Sequence, residues 1–391
     1  MPATPKPMRI VLFSSAYAPA VGGVEELTRR LAEQLLAGGD EVEVWTNRHP
    51  TSLPTRETID GVRVRRFALP LPRMAPASLA RFPASSARAL WRLREAAAEF
   101  RPDVLHVQCF SANGVYAVAL AEIVRIPLVV TLQGETFMDD YDIFDRSRVL
   151  PAALRIGMRR AAAVTACSRF VLDDAEQRFG LSRGKGQVVA NGVDVVRDEP
   201  PVRLELPFET FVLGLGRAVD KKGFDLLLHA FRRVADDHPH IGLLIGGDGT
   251  ARGALAQLAG DLGLADRVAL PGTLSRAQVA WTMANATVFV LPSRVEPFGI
   301  VVLEALRAGR PVVVSSRGGA PEIVRHEREG LVADPFDTGA LAAAMGRLLV
   351  DEGLGRRLSA AAVERVRDFS WDGIAARYRQ IYCDAKQGRG Q

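Results

Sequence analysis

The chain has little cysteine. Its three Cys residues, at 109, 167 and 383, show no metal-ligand spacing and cannot build a disulfide framework, so a reducing compartment is expected. It also lacks a long apolar run: nothing approaches the ~18 residues that cross a bilayer. Lys6 and Arg9 do precede Ile10-Val11-Leu12-Phe13, and Ala18-Pro19-Ala20 mimics a signal-peptidase site. That apolar run is four residues, short of the ~7–15 of a signal core, and reads as a first buried strand. A cytoplasmic location is the resulting expectation. Lysine is the third scarcity, with five among 50 cationic residues, at 6, 185, 221, 222 and 386, so the adjacent Lys221-Lys222 stands out. Net charge is a modest +5, and no nucleic-acid partner is expected. The excess is local: residues 61 to 101 hold nine Arg against Glu95 and Glu99.

What is present is an ordinary globular composition, 48% hydrophobic and 24% charged, in a chain long enough for two domains with substantial cores. One stretch organises it, Glu296-Pro297-Phe298-Gly299-Ile300-Val301-Val302-Leu303-Glu304. It follows the apolar run Val288–Leu291, which reads as a buried strand, and turns helical from about Gly299 to Ala308-Gly309. Pro297 suits the lip of a helix, where its missing N–H would have no partner anyway. The N–H groups of Gly299, Ile300 and Val301 then point out of a helix N-terminus, a site for an anion or a sugar hydroxyl. Gly299 admits a ligand close to the backbone. Glu304 lies one turn beyond Ile300, so two carboxylates flank a ring of amide donors. The bland alternative is a solvated Glu pair around a loop; the Glu-Pro-Phe-Gly turn between a buried strand and a helix favours the site.

Written as Glu-x7-Glu, the stretch resembles the signature of the family 4 retaining glycosyltransferases. The resemblance implies an α/β chain with the GT-B fold, two Rossmann-like domains facing across a cleft. It implies that Glu304 binds the ribose of a nucleotide sugar and that Glu296 sits by the transferred sugar. It further implies that the backbone from Phe298 and Gly299 through Ile300 and Val301 holds sugar hydroxyls and phosphate.

The N-terminal half alternates strands and helices, as a parallel α/β sheet does. Strands are expected at Arg9–Ser14, 41–46, Val62–Phe67, 104–107, Leu128–Leu132, 164–167 and 188–190. After the first strand, a loop of breakers ends in Gly22-Gly23, and a helix runs from Val24 through Leu27, Leu31 and Leu35 to Gly38-Gly39. The order strand, glycine loop, helix favours phosphate at the helix start. The family resemblance places Gly22 and Gly23 against the donor diphosphate. Gln133, after a buried strand, stands where many relatives have His. An amide gives and takes hydrogen bonds but carries no proton near neutrality, which removes a His-based role. His106 and Glu135 are nearby candidates for polar work or for structure. Ser168 is positioned to cap a helix. Asp140-x-Asp142 sits in a polar loop without further ligands, so no metal site is assigned. In residues 70 to 94, Pro70, Pro72, Pro76 and Pro83 break the first part. Leu79, Phe82, Leu90 and Trp91 then mix with Arg73, Arg81, Arg88, Arg92 and Arg94. Two readings stand: a solvated helix packed on its own domain, or a basic element making peripheral contact with an anionic membrane through residues 73–94.

Asn191-Gly192-Val193-Asp194 makes a turn and, by the resemblance, ends the first domain; Pro200-Pro201 and Pro207 mark a linker. In the C-terminal half the loop Arg217–Gly223 joins a strand to a helix starting at Phe224, and its cations can clamp a diphosphate. The resemblance assigns that role to Arg217 and Lys222. Gly214-x-Gly216 begins a dinucleotide fingerprint, but Val219 stands at its third glycine and gives NAD poor support. The loop Pro271–Leu274 is implied to face the nucleotide base. Gly318-Gly319 either lines the site or only makes a turn. The expected domains are 1–195, an acceptor-side Rossmann-like domain; 196–371, which binds the nucleotide sugar; and 372–391, a helix crossing back to the first. The expected activity is retaining, hexosyltransferase-like transfer from a nucleotide diphospho-sugar to an acceptor hydroxyl, with catalytic Arg217, Lys222 and Glu296. The sugar donor is a co-substrate and no cofactor is expected; the acceptor is a glycan, a lipid-linked molecule or a small molecule. A non-catalytic sugar-nucleotide binder, or an epimerase or NAD enzyme on the same fold, is the rival.

Overall fold

The computed structural model describes residues 6–20, 22–72, 76–139, 143–195 and 200–388. Two compact units share the chain, Met1–Asn191 with Trp371–Gln391, and Gly192–Ser370.

The first unit is built on eight strands: β1 (Arg9–Ser14), β2 (Glu41–Asn47), β3 (Arg56–Ile59), β4 (Val62–Phe67), β5 (Val104–Gln108), β6 (Leu128–Leu132), β7 (Ala163–Ala166) and β8 (Gly186–Val188). They lie in the order β3-β4-β2-β1-β5-β6-β7-β8, and every pairing except β3 with β4 is parallel. β5 and β6 are buried along their whole length, as strands covered on both faces are; β6 is mostly apolar, while β5 also buries His106 and Gln108. β3 is not buried in this way. It is a half-exposed edge strand, Arg-Glu-Thr-Ile, that the periodicity misses; Asp60 and Gly61, at φ 49° and 80°, turn it into β4 as a tight hairpin. β8 begins two residues before the expected 188–190.

The helix α1 (Gly23–Ala37) starts one residue earlier than its pattern suggests and buries Leu27, Leu31 and Leu35. The helix α2 (Pro76–Phe100) runs through Pro83 rather than breaking there. Proline removes one N–H and strains the turn before it, but burial of Ala89, Leu93, Ala96, Ala97 and Phe100 further along holds the helix. Much of the local arginine excess is paired: Arg65 bridges Glu43 and Glu99, both at 2.7 Å, and Arg66 pairs with Glu57. Arg81, Trp91, Arg88, Arg92 and Arg94 are exposed, and Arg73 lies outside the described residues. No helix among the described residues is long and apolar enough to cross a membrane. The C-terminal helix, Trp371–Gln387, packs on the first unit with Tyr378 and Tyr382 buried.

The second unit has six parallel strands, β9 (Thr210–Leu215), β10 (Ile241–Gly246), β11 (Val268–Gly272), β12 (Val288–Leu291), β13 (Val312–Ser315) and β14 (Leu331–Ala333). Their order is β11-β10-β9-β12-β13-β14. Counted within the unit this is 3-2-1-4-5-6, the Rossmann order. Connections reverse direction between β9 and β12, the switch point beyond whose strand C-terminal ends open α/β sheets bind their ligands. The helix α3 (Phe224–Ala235) follows β9, and α4 (Ile300–Arg307) follows β12. The first unit has the equivalent reversal between β1 and β5.

Candidate active site

The loops that leave β9 and β12 carry the charged residues picked out in the sequence. After β9 the backbone runs through Arg217, then makes a single 3-10 turn over Asp220–Lys222, and enters α3. After β12 come Ser293, Arg294 and Glu296. Lys222 Nζ donates to Glu296 Oε2 at 2.6 Å, and Ser293 Oγ donates to the same oxygen at 3.1 Å. Glu296 is 6% exposed, so its carboxylate is held rather than solvated. The two loops are stapled by Arg294. Its backbone N–H donates to Lys221 O at 3.0 Å. Its guanidinium donates to Asp220 O at 2.8 Å and to both oxygens of Asp225 at 2.7 and 2.5 Å. Bidentate Arg–carboxylate geometry fixes direction as well as distance. Arg217 is exposed on its loop, whose next residue is pinned by Ala218 N–H donating to Asp248 O at 2.9 Å.

Glu296 is also fixed through its backbone. Its N–H donates to Arg317 O at 3.1 Å, and its carbonyl accepts from Gly319 N–H at 2.8 Å. Gly318 has φ 127°, and a Cβ there would stand 2.0 Å from Glu296 O. Gly318 therefore serves a close backbone approach that seats Glu296, beyond simply making a turn.

Gly299, at φ 101°, caps α4 in the left-handed region, and Val302 N–H turns back onto Gly299 O at 2.9 Å. Ile300 and Val301 occupy the first turn, where amides have no intrahelical acceptor. Ile300, Val301 and Glu304 are half-buried. Phe298 is 3% exposed and packs edge-on against Phe369 at 6.1 Å, so only its backbone is available to a ligand. Lys222 and Glu296 are thus brought into contact. Arg217 shares Lys222's loop, and Phe298 to Glu304 continue from Glu296.

In the first unit, Gly22 is the N-cap of α1 in extended conformation, and both it and Gly23 are exposed. The Glu25 carboxylate reaches back over this turn, 2.4 Å from where a Gly22 Cβ would lie. Gln133 follows β6 and is half-buried. Its side-chain Nε2 donates to Gln108 Oε1 at 3.3 Å, and its Oε1 accepts from Asn191 Nδ2 at 3.0 Å. Glu135 takes backbone N–H groups of Phe110 at 2.6 Å and Gln133 at 2.7 Å. Burial raises its pKa to about 7, against the pull of those amides, which favour the carboxylate. His106 is structural: it is fully buried between Tyr382 and Thr131, each at 2.6 Å, and burial lowers its pKa to about 3. Ser168 caps its helix, accepting from Val171 N–H at 3.2 Å. Asp140 and Asp142 lie outside the described residues.

Sequence reasoning missed Ser293, Arg294, Gln108 and Asn191. Ser293 and Arg294 fall between the apolar run Val288–Leu291 and Glu296, and their partners Glu296, Asp225 and Asp220 are set by the fold. Asn191 was legible only as part of an Asn-Gly turn.

Residues 199–365 match the family model described as Glycosyl transferases group 1, and residues 21–197 the one described as Glycosyltransferase Family 4. A glycogen synthase of Mycobacterium tuberculosis is 30% identical over 405 residues, spanning 98% of this chain and 96% of that protein. A sucrose-phosphate synthase structure from Thermosynechococcus elongatus superposes with a TM-score of 0.81 at 25% identity, over 97% of this chain and 100% of that one. HepE from Anabaena, solved in complex with UDP-glucose, has a TM-score of 0.74 at 21% identity over 95% and 98% of the two chains, a likeness of fold.

Proposed function

The chain belongs to the family 4 glycosyltransferases, and on that premise we propose that it moves a hexosyl group from a nucleotide diphospho-sugar to an acceptor hydroxyl. The proposal includes retention of anomeric configuration and no requirement for a metal. The observation that carries it is the 2.6 Å pair of Lys222 with the buried Glu296, at the reversal point of a Rossmann sheet. Sugar transfer from a nucleotide demands stabilisation of charge growing on the leaving diphosphate. Lys222, Arg217 and the first-turn amides of α4 form a fixed set of donors for it, and such preorganised donors act without reorganising during the reaction. Glu304, one turn along α4, accepts from the ribose hydroxyls. Glu296 contacts the sugar. One of its oxygens already accepts from Lys222 and Ser293, which favours a positioning role over nucleophilic attack. Without a protein nucleophile, retention follows if the acceptor hydroxyl approaches on the leaving-group side and the departing phosphate takes its proton.

Gln133, Gly22 and Gly23 bind the donor sugar and phosphate in this reading. The acceptor is a glycan, a lipid-linked molecule or a small molecule, and a glycan is the first to try, since the Mycobacterium relative is a glycogen synthase. A peripheral contact with anionic membrane through residues 73–94 is favoured by Trp91, 62% exposed, beside Arg88 and Arg92.

The test is a thermal-shift screen over UDP-, GDP-, ADP- and TDP-sugars, starting from UDP-glucose, since a ligand bound only by the native state raises the midpoint. Transfer is then measured with the stabilising donor in excess EDTA, and the product anomer is read by NMR. A donor that binds but is never transferred to any acceptor supports the non-catalytic binder instead. An inverted product removes retention, and an EDTA-dead enzyme restored by Mg²⁺ or Mn²⁺ removes metal independence.

A further inference from the structure

Gln133 is held by two other amides. Asn191 Nδ2 donates to Gln133 Oε1 at 3.0 Å, and Gln133 Nε2 donates to Gln108 Oε1 at 3.3 Å. Both neighbours are buried, Asn191 at 5% and Gln108 at 3% exposure, whereas Gln133 is half-buried. Thr131, the register partner of Gln108 across β5 and β6, lies 3.3 Å from the buried Tyr378 hydroxyl and 2.5 Å from Thr165 Oγ1. The backbone of Gln133 is pinned separately, its N–H donating to Glu135 Oε2 at 2.7 Å. The three amides are therefore linked head to tail. Turning the Gln133 amide over would set its N–H groups against the Asn191 donor and its oxygen against the Gln108 oxygen. Two buried groups would lose their partners, a costly arrangement. A primary amide has two N–H donors and two acceptor lone pairs, so one of each remains for a ligand, at a known end.

We propose that Asn191 is a positioning residue for the transfer reaction: it fixes which end of the Gln133 amide faces the sugar or the acceptor, with Gln108 holding the other end. This rests on the reading above that Gln133 belongs to the site. Asn191 is also the last residue of the first unit before the chain passes into the second. Its side chain thus ties the end of that unit to the residue that follows β6.

The experiment is a double-mutant cycle on the full chain with one verified donor and acceptor. Transfer is measured for wild type, Asn191→Ala, Asn191→Asp and Gln133→Ala, and for both 191 variants combined with Gln133→Ala. Asn191→Asp keeps the shape but offers Gln133 an acceptor in place of a donor, so it favours the reversed amide, while Asn191→Ala removes the partner altogether. Each 191 variant should lower kcat/KM about tenfold, the scale of one hydrogen bond, without changing the Kd of the nucleoside diphosphate. In the Gln133→Ala background neither should lower it further, because a residue acting through another has no effect once that other is gone. An equal loss in both backgrounds overturns the proposal while leaving Gln133 in the site. Wild-type transfer by Gln133→Ala overturns the site reading for Gln133, and the proposal with it.

Discussion

Lys222 holds Glu296, and the proposed function asks the same ammonium group to meet a leaving diphosphate. It was legible because lysine is rare in this chain and because the pair Lys221-Lys222 falls between a strand and a helix. Which of the two reaches the site was not legible from chemistry, since they are adjacent and alike; the 3-10 turn decides it by directing Lys222 to Glu296. Lys222→Ala should lower kcat/KM by about two orders of magnitude, the usual loss for a transition-state donor, and an unaltered rate would remove Lys222 from the mechanism. Glu135 shows what a sequence conceals. Its carboxyl is unremarkable in the chain, but burial raises its pKa to about 7 from an ordinary 4.5. A raised folded pKa means that the native state binds more protons than the unfolded one between these values. The stability it contributes is full below about 4.5 and is lost as pH rises through about 7. His106 has the opposite sign: its pKa is lowered from 6.5 to about 3, so its contribution is present above 6.5 and lost as pH falls. The two therefore offset each other in wild type across mildly acidic pH. Glu135→Gln removes only the first. The midpoint of the variant relative to wild type should climb between pH 4.5 and 7 and then level off, read by thermal melts at a series of pH values. A difference that stays flat across that range would mean that Glu135 does not titrate there.

Strands built mainly of apolar residues were readable: β1, β6 and β12 fall within a residue or two of where burial on both sheet faces demands them. Elements held by tertiary contact were not. β3 is polar because it is an edge, and α2 continues through Pro83 because its later turns are buried. The glycine loop after β13 stood undecided between site and turn, since a positive φ and a close backbone approach leave the same letter in the sequence. The structure separates them at Gly318, whose hypothetical Cβ meets the carbonyl of Glu296 at 2.0 Å. Gly318→Ala should destabilise the chain by about 2 kcal/mol or more, the scale of a residue forced into an unsuitable conformation, and should weaken donor binding with it. Gly253 is the control. It lies in a helix with nothing within 4 Å of its hypothetical Cβ, so Gly253→Ala should stabilise by about 0.4–1 kcal/mol. Urea unfolding of both variants checks the pair; equal and small effects would mean that the Glu296 loop yields easily and is not fixed by its contact with Gly318.

At the scale of the whole molecule, two units with separate sheets divide the work that the proposal assigns. The first carries α2, on which Arg81, Arg88 and Arg92 are exposed. Each cation near an anionic surface adds roughly 1 kcal/mol, so co-sedimentation with anionic vesicles should fall in salt and on neutralising these three; no binding at low salt returns α2 to an ordinary solvated face. The second unit is one uninterrupted stretch, Gly192–Ser370, while the first is assembled from two ends of the chain. Its core is its own: Val212, Leu227, Phe231, Leu243, Val288 and Met345 belong to a single cluster drawn from that stretch. Arg217, Lys222, Glu296, the first turn of α4 and Glu304 all lie within it. If these residues supply most of the nucleotide's contacts, a fragment of residues 192–370 should fold cooperatively. It should also bind the nucleoside diphosphate favoured by the full chain with a Kd within about tenfold, the equivalent of ~1.4 kcal/mol. Calorimetry on the fragment and the full chain makes the comparison. A folded fragment that fails to bind would assign the missing energy to the first unit, with Gly22-Gly23 and the Glu25 carboxylate above them as the place to look. Binding at full strength would leave that turn and Gln133 to the sugar and the acceptor, so that substitutions there should change transfer while nucleotide affinity stays where it was.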